Sequence, residues 1–397
     1  MRTILVAPTA FKGTLTPIQV ASAIVDAARE ALGEPLYVVS IPIADGGDGT
    51  IECVALIIKD GELRDEQCLG ALSQPVRYQW FKHGTTAVIE LAACCGIAQL
   101  QSAPAPALQL QAPAEQESAQ APALQLQAPE GRLDAMRAHT YGLGQAIARC
   151  FEAGCDEINV AVGGSASTDG GMGALKALGA MFFDEFGQEV QQLGGGALST
   201  IVDIDLTEVR WVTRGTKLRV LTDVDNPLIG ERGAAKIFGP QKGASPSQVA
   251  ELDAGLKHFA DVLEAAAGNE ARNLPGAGAA GGTAFGLACA LGADITSGFE
   301  WLAEAAQLDE RIAQADLVIT GEGRFDAQSL QGKAVGRIIE RCRVTNKKVL
   351  VVSGCVSDDL PVEGAIILVP EIGAGGLCGR REIEKAIAKT LPHLFHN

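Results

Sequence analysis

The sequence predicts an α/β protein with a Rossmann-like parallel-sheet domain that is discontinuous in the chain and interrupted by a second α/β domain. Two observations predict this class. At the amino end a strand, a loop, a helix and a second strand follow one another, the order typical of parallel sheets. At the carboxyl end short β-branched runs alternate with helical patterns, whereas the middle is less regular. We expect the first domain in residues 1–66 and 287–397 and the second in residues 67–286.

The amino-terminal elements show the pattern most clearly. Residues 3–9 form an apolar strand pattern, and residues 37–44 form a second one. Between them, a helix is predicted over residues 18–32. Thr16 is suited to cap this helix, and Pro17 suits its first position because a missing N–H costs nothing there.

The later elements are predicted on the same grounds. A hairpin is indicated by residues 76–80 and 86–91, with a turn at Gly84. The remaining predicted elements are strands over residues 158–162, 218–222, 317–320, 349–353 and 365–369, and helices that begin near Gly171 or cover Pro246–Ala267 and residues 382–391.

A segment of biased composition interrupts the second domain at residues 102–130. Of these 29 residues, 20 are Ala, Gln or Pro, and the run APALQLQAP occurs twice, at 105–113 and 121–129. Such a composition buries little apolar surface. We interpret it as a surface insertion created by repeat expansion, with a binding tract as the alternative.

Charge and composition exclude several classes. The net charge of −16 disfavours binding to nucleic acid or to an anionic membrane surface, because both depend on Lys and Arg. No run of 18 apolar residues indicates a membrane span. The apolar run at residues 4–7 is too short for a signal-peptide core, so we expect a cytoplasmic protein. Ten cysteines without paired CxxC spacing predict reduced, buried thiols rather than disulfides or a zinc site.

Glycine is the unusual component. It supplies 47 of 397 residues, about 12%, where about 7% is ordinary. The clusters lie beside acids, hydroxyls or lysine, at residues 45–49, 163–173, 239–243, 276–286 and 321–324. Glycine lets a ligand approach the main chain, and successive amides can hold anionic oxygens. One such cluster is most simply a tight turn, but several at strand ends favour a phosphate or carboxylate site. The sequence has no P-loop, and its glycine spacing disfavours a nicotinamide cofactor.

Acids and cations near these clusters favour metal-dependent phosphoryl transfer. This chemistry needs Mg²⁺ on carboxylates, cations for the phosphoryl group and an acid near the nucleophilic hydroxyl. Each residue alone is more simply a solvated charge or a helix cap, and the set is more specific than its members. The candidate carboxylates are Asp45, Asp48, Asp169, Asp223, Asp225, Glu322 and Asp326, and the candidate cations are Lys12, Lys242, Arg324 and Lys333.

Seven stretches carry a resemblance to a known family. They are APTAFKGTL (7–15), IPIADGGDGT (41–50), TAVIELAA (86–93), GGSASTDGGMGALKALG (163–179), DVDNPLIGERGAAKIFGPQKGA (223–244), LPGAGAAGG (274–282) and DLVITGEGRFDAQSLQGK (316–333). In these stretches the chain resembles the bacterial glycerate kinase family, of the two-domain glycerate 2-kinase type that lacks a P-loop.

The resemblance implies ATP-dependent phosphorylation of D-glycerate with Mg²⁺, at the 2-hydroxyl rather than the 3-hydroxyl, in a cleft between two α/β domains. Its implied partners are therefore glycerate and ATP, and a homodimer is left open. The chain departs from the family at Thr9-Ala10, where Asp-Ser is common, at Asp48, where Glu is usual, and at the 102–130 insertion. Beyond Ser353 the match is poor, and no role is drawn from that part.

Within this resemblance, chemistry suggests roles for the candidate residues. Arg324 suits bidentate binding of the glycerate carboxylate, with Ser165 and Lys242 as further substrate contacts. Lys12 would neutralise phosphate charge. The base is Asp45 or Asp169, of which we favour Asp169. The expected Mg²⁺ ligands are Asp223 and Asp45, and the expected nucleotide and phosphate contacts are Gly163, Gly164, Gly281, Gly282, Lys333 and Glu322.

Two alternatives to a glycerate kinase are open at this stage. One is a kinase for another small hydroxy acid, because pocket shape is not visible in the motifs. The other is a non-catalytic metabolite sensor that uses the same glycine-rich loops. The candidate acids disfavour the sensor, since a sensor needs no base beside its Mg²⁺ site.

Overall fold

The structure is a computed structural model that describes residues 2–33, 35–44, 46–47, 49–101, 133–327, 329–330, 332–357, 364–371 and 378–395. The predicted insertion at 102–130, Asp45 and Asp48 lie outside the described residues. Contacts divide the chain into two compact units. Unit 1 comprises Met1–Glu62 and Thr296–Asn397, and unit 2 comprises Leu63–Ile295. The boundaries at 66/67 and 286/287 stay a prediction about domains.

The strands of the described residues are, in chain order, β1 (Arg2–Val6), β2 (Leu36–Ser40), β3 (Glu62–Leu69), β4 (Pro75–His83), β5 (Thr86–Glu90), β6 (Glu157–Ala161), β7 (Met181–Phe183), β8 (Asp203–Asp205), β9 (Lys217–Leu221), β10 (Asp294–Thr296), β11 (Leu317–Phe325), β12 (Lys348–Val356) and β13 (Ala365–Leu368).

The α-helices of the same residues are α1 (Pro17–Leu32), α2 (Thr50–Ile57), α3 (Leu91–Cys95), α4 (Ile97–Gln101), α5 (Tyr141–Glu152), α6 (Met172–Ala177), α7 (Thr207–Val212), α8 (Ala234–Phe238), α9 (Pro246–Ala267), α10 (Ala279–Leu291), α11 (Gly298–Ala305), α12 (Leu308–Gln314), α13 (Ala334–Val344) and α14 (Arg380–Leu394). Two 3₁₀ turns cover Gly195–Thr200 and Pro240–Lys242.

Unit 1 is built on one parallel sheet. Its strand order is β13-β12-β11-β1-β2, and each neighbouring pair is parallel. The sheet combines strands from both ends of the chain, because β11 lies beside β1. The predicted Rossmann-like, sequence-discontinuous α/β fold is therefore confirmed.

Helices cover both faces of this sheet, as buried parallel strands require. Ile4, Ile319 and Leu350 belong to a core that includes residues of α1 and α14. Because side chains alternate along a strand, Val318 and Thr320 lie on the opposite face, where α12 and α13 contact the sheet. This second face is the one that carries the polar groups described below.

The first helix begins as the sequence predicts. The Thr16 hydroxyl accepts a hydrogen bond from the Gln19 amide at 3.3 Å, and the Gln19 side chain accepts one from the Thr16 amide at 2.9 Å. This reciprocal capping box satisfies two amides that the helix itself leaves unpaired. Pro17 occupies the first helical position.

Unit 2 contains a six-stranded mixed sheet in the order β10-β9-β6-β5-β4-β3. Strand β6 is parallel to β5 and β9, whereas β4 and β5 form the predicted antiparallel hairpin, with Trp80 opposite Ile89. A separate pair, β7 and β8, is antiparallel. The sequence patterns did not indicate β3, β7, β8 or β10, which are short or largely exposed.

Two expectations from composition can be compared with the structure. All ten cysteines have free thiols, and only Cys355 is exposed, in agreement with the prediction of reduced, mostly buried residues. Among the helices of the described residues, none combines the length and apolar character that crossing a membrane demands.

Candidate functional site

In unit 1 the candidate residues lie where β11 runs past the end of β1. The pairing of β11 with β1 reaches Ile319, but its pairing with β12 continues to Phe325 opposite Val356. The glycine cluster at residues 321–324 was predicted as a turn at a strand end, and this prediction is wrong. The partner strand β12 holds the segment extended, so Glu322 and Arg324 are strand residues.

The loop that follows β1 packs against this extension. The Thr9 amide donates to the Gly321 carbonyl at 2.7 Å, and the Thr320 hydroxyl donates to the Ala7 carbonyl at 2.8 Å. A Cβ atom at Gly323 would lie 3.2 Å from the Phe11 Cα and 3.3 Å from the Lys12 amide nitrogen. A glycine at this position therefore permits the close approach that places Lys12 beside the end of β11.

Glu322 is the centre of a charged cluster in unit 1. Burial raises the pKa of its carboxyl group, a hydrogen bond with Ser329 and the charges of Lys333 and Lys12 lower it, and the charge of Asp326 raises it. Its Oε1 atom is buried and has no hydrogen-bond partner within the described part of the chain. Glu322 was predicted as a phosphate contact. A carboxylate repels phosphate oxygens, so its orphaned oxygen suits a hydrogen-bond donor instead.

Arg324 lies on the same face of β11, two residues further on. Its side chain is 71% exposed, and its Nε atom lies 3.5 Å from Asp326 Oδ2. An exposed guanidinium with one weak carboxylate contact can accept a small-molecule carboxylate in a bidentate manner. Lys333, also exposed, occupies the N-cap position of α13.

In unit 2 a glycine-rich loop follows β6, at the carboxyl ends of the parallel strands. Gly163 is partly exposed and Gly164 is exposed with a φ of 71°, a conformation that favours glycine. Ser165 is only 6% exposed, and its hydroxyl lies 3.1 Å from that of Ser167 and accepts from the Ser167 amide at 3.2 Å. The two glycines remain accessible for an anion, whereas Ser165 is engaged within the loop.

Asp169 is a buried carboxylate of unit 2 whose two oxygens are both hydrogen-bonded. Its Oδ2 atom accepts hydrogen bonds from the Thr140 amide and hydroxyl, both at 2.8 Å, and from the Gly173 amide at 3.1 Å. Its Oδ1 atom accepts from the Gly171 amide at 3.2 Å. The Thr140 hydroxyl in turn accepts from the Ala174 amide at 3.0 Å. The carboxylate therefore joins the start of α6 to the segment before α5.

This geometry does not fit the predicted role of Asp169 as the base. The residue is 0% exposed, and both oxygens already accept hydrogen bonds from the protein. A base has to come within hydrogen-bond distance of the substrate hydroxyl. Asp169 is better described as a structural anchor of its loop.

Lys242 is also placed differently from the prediction. Its side chain is 3% exposed, and its ammonium group donates to the Ser167 carbonyl at 2.5 Å. Burial lowers the pKa of Lys242 to about 8, and the nearby Asp169 charge raises it in part. Lys242 was predicted to contact the substrate, but in this structure it holds the loop from inside the unit.

Gly281 and Gly282 have a packing reason for being glycine. They lie at a kink of α10 with φ values of 67° and 87°. A Cβ atom at Gly281 would lie 2.1 Å from the Ser167 carbonyl oxygen, and the Gly281 carbonyl accepts from the Gly170 amide at 3.0 Å. Both glycines are buried, so close packing of two backbones, rather than phosphate contact, explains them here.

Asp223 follows the end of β9, at the same edge of the unit 2 sheet as Gly163, and is partly exposed. Over the described residues, no group of three or more His, Cys, Asp or Glu side chains is arranged to hold a metal ion. Mg²⁺ in phosphoryl-transfer sites is usually held by one or two carboxylates together with substrate phosphates. A single aspartate at this edge is therefore a suitable kind of donor.

The structure adds two residues to which sequence reasoning gave no role. Thr140 bonds Asp169, and Ser329, which is 0% exposed, contacts the Glu322 carboxylate. Ser329 lies in the matching stretch at residues 316–333, whereas Thr140 lies in none of the seven stretches. No periodicity or spacing pairs Thr140 with a residue 29 positions away, and only the fold brings them together.

Comparisons with known proteins agree with the resemblance. Residues 4–112 and 103–366 match the profile of the glycerate kinase family. The chain is similar to a protein named glycerate 2-kinase from Escherichia coli (strain K12), with 37% identity over 361 residues, 90% of this chain and 87% of the relative. It is 34% identical to a glycerate kinase from Bacillus subtilis (strain 168) over 358 residues, 90% of this chain and 86% of that one.

A solved structure gives a similar result. The chain resembles a protein from Salmonella typhimurium LT2, provisionally assigned as a glycerate kinase 2, with a TM-score of 0.79 and 30% identity. The match covers 99% of this chain and 97% of the other.

Replacement of Asp169 tests its anchoring role. Asparagine can present its oxygen to the three donors around Oδ2, but its amide then faces the Gly171 amide, and a buried donor left unpaired costs roughly 2 kcal/mol. We expect Asp169→Asn to lower the free energy of unfolding by about this amount in urea denaturation. Asp156→Asn, an exposed change in the same unit, should have little effect. Equal stability of the two variants would contradict the anchoring role.

The buried charge of Lys242 gives a pH-dependent signature. Its folded-state pKa of about 8 lies below the ordinary 10.5, so the unfolded chain binds more protons between these values, and stability from this group rises with pH. Relative to Lys242→Met, the wild-type free energy of unfolding should rise by about 2 kcal/mol from pH 7 to pH 9.5. Lys257→Met, at a site 65% exposed, is the control without this change. A pH-independent difference for Lys242→Met would show that the buried charge is not there.

Proposed function

The chain belongs to the glycerate kinase family, a family of phosphotransferases, and on this premise we propose that it transfers the γ-phosphoryl group of ATP to D-glycerate to give 2-phosphoglycerate. The relative from Escherichia coli that is named a 2-kinase supports attack by the 2-hydroxyl. The donor, the handedness of the substrate and the position of transfer are parts of this proposal.

One structural observation carries the proposal. At the end of β11, the charges of Lys12 and Lys333 act on the Glu322 carboxylate, and Arg324 projects from the same face of the strand. The chain as a whole has a net charge of −16 and repels anions, so cations gathered at one place are needed to attract them. Glycerate and ATP are both anionic.

The charged residues of unit 1 suit different groups of the two substrates. We assign the glycerate carboxylate to Arg324, because a guanidinium binds a carboxylate through two parallel hydrogen bonds. Lys12 and Lys333 are point charges on exposed side chains, suited to phosphate oxygens. Lys333 also stands at the N-terminus of α13, where backbone amides favour anions.

In unit 2 the amides of Gly163 and Gly164 are proposed to hold phosphate oxygens. Their position after β6 and their exposure support this role. Asp223 is the described residue proposed to hold Mg²⁺, and Asp45 is the second candidate. When bound, Mg²⁺ would neutralise phosphate charge that the protein's own acids otherwise repel.

A kinase for another small hydroxy acid is the second candidate function. It is favoured by the fact that Arg324 would clamp any carboxylate, and nothing in that contact distinguishes glycerate from a longer acid. A metabolite sensor would bind the same ligands without turnover. Formation of 2-phosphoglycerate from D-glycerate separates the first proposal from both alternatives.

Turnover with D-glycerate is the first test. Wild-type protein with ATP, Mg²⁺ and D-glycerate should release ADP in a coupled assay and form 2-phosphoglycerate, identified by phosphorus NMR. L-glycerate, lactate and tartrate serve as matched acids. Lack of turnover with D-glycerate would exclude the proposed substrate, and formation of 3-phosphoglycerate would exclude the proposed position of transfer.

Replacement of Arg324 tests whether its guanidinium binds the glycerate carboxylate. Arg324→Lys keeps the charge but loses the two parallel hydrogen bonds, so KM for glycerate should rise about tenfold, equivalent to roughly 1.4 kcal/mol, with a smaller change in KM for ATP. Arg343→Lys, an exposed change on α13 in the same unit, is the control. If KM for glycerate stays the same in Arg324→Lys, another residue binds the carboxylate.

A further inference from the structure

We propose that Glu322 is the residue that takes the proton from the attacking hydroxyl of the substrate. This inference rests on the proposed function and adds the identity of its base. Among the described carboxylates at the candidate positions, the geometry points to Glu322 rather than to Asp169.

The Glu322 carboxylate has an oxygen without a hydrogen-bond donor among the described residues. This atom, Oε1, is buried, and Ser329 acts on the same carboxyl group through a side-chain hydrogen bond. Buried carboxylate oxygens are rarely left without a donor. A hydroxyl is the kind of group that would satisfy this oxygen, because it brings the proton that an ionised carboxylate lacks.

Glu322 is more accessible to a substrate than Asp169 is. Glu322 as a residue is only partly buried, unlike Asp169, which is 0% exposed and accepts four hydrogen bonds. Arg324 lies on the same face of β11, so a carboxylate bound there would hold its own hydroxyl near Glu322.

The charges around the Glu322 carboxyl group also suit a base. The groups that act on Glu322 are Lys333 and Lys12, which are cations, and Asp326, which is an anion. Two ammonium groups oppose the binding of a divalent cation at this oxygen but stabilise the anionic state of a base. Burial raises the pKa of Glu322 against these lysines, and proton transfer is most efficient when the pKa of the base lies close to the working pH.

The proposed step transfers one proton to Glu322 and one phosphoryl group to the substrate. The substrate O–H bond breaks and its proton passes to Glu322 Oε1, while the hydroxyl oxygen forms a bond to the γ-phosphorus of ATP. The bond between the γ-phosphorus and the bridging oxygen breaks, and its electron pair leaves with ADP. Glu322 then returns its proton to solvent, so the enzyme is unchanged after each cycle.

The test is Glu322→Gln in the full chain, with D-glycerate, ATP and Mg²⁺. The amide has the same shape but cannot take a proton, so kcat should fall by about 100-fold or more, with KM for glycerate within about threefold of wild type. Wild-type kcat should fall at low pH as Glu322 becomes protonated, and this acid limb should be absent in the variant. Glu340→Gln, an exposed change on α13, is the control for the same chemical replacement.

Each other outcome is decisive. A Glu322→Gln protein with kcat within threefold of wild type, or with a raised KM and unchanged kcat, overturns the base role and leaves the proposed function standing. An acid limb that persists in the variant does the same. A melting temperature close to wild type shows that loss of kcat is not loss of fold. If wild-type protein has no turnover with D-glycerate or another small hydroxy acid, the proposed function fails and the inference falls with it.

Discussion

The pairing of β11 with β12 beyond the end of β1 is the constraint on which the candidate site of unit 1 depends. It holds Glu322 opposite Ser353 and keeps the following residues extended as far as Phe325. Alternation along the strand then fixes which side chains share a face. Were this segment the turn that its glycines suggest, Glu322 and Arg324 would have no fixed relation to each other or to Lys12. The hydrogen bonds of the sheet thus set the positions of the charged side chains of Glu322 and Arg324.

In unit 2, the buried charged residues Asp169 and Lys242 hold a loop in place. Both act on the loop that contains Ser167. Asp169 accepts hydrogen bonds from the Thr140 hydroxyl and the Gly173 amide, and Lys242 donates to the Ser167 carbonyl. Gly281 packs against the same carbonyl from α10. The loop is therefore fixed from several directions by groups without access to solvent. We interpret this as the framework that gives the exposed Gly163 and Gly164 a defined position.

The sequence predicted the structure correctly where neighbouring residues in the chain determine it, as at the ends of helices. Thr16 and Pro17 predict the start of α1 from local chemistry, and the helix predicted over Pro246–Ala267 has these bounds in the structure. The sequence was misleading where contacts with residues distant in the chain determine the local structure. The glycines at 321 and 323 look like a turn, and only β12 makes them a strand. The sequence suggests Asp169 as a base, but in the structure its carboxylate accepts a hydrogen bond from the Thr140 hydroxyl.

A crystal structure with D-glycerate and a non-hydrolysable ATP analogue tests the central claim most directly. The account predicts that the glycerate carboxylate lies on Arg324 and that the 2-hydroxyl oxygen lies about 2.6–3.2 Å from an oxygen of Glu322, in line with the γ-phosphorus. The contradicting result is a 2-hydroxyl group bonded to a different carboxylate, with Glu322 making no contact with the substrate.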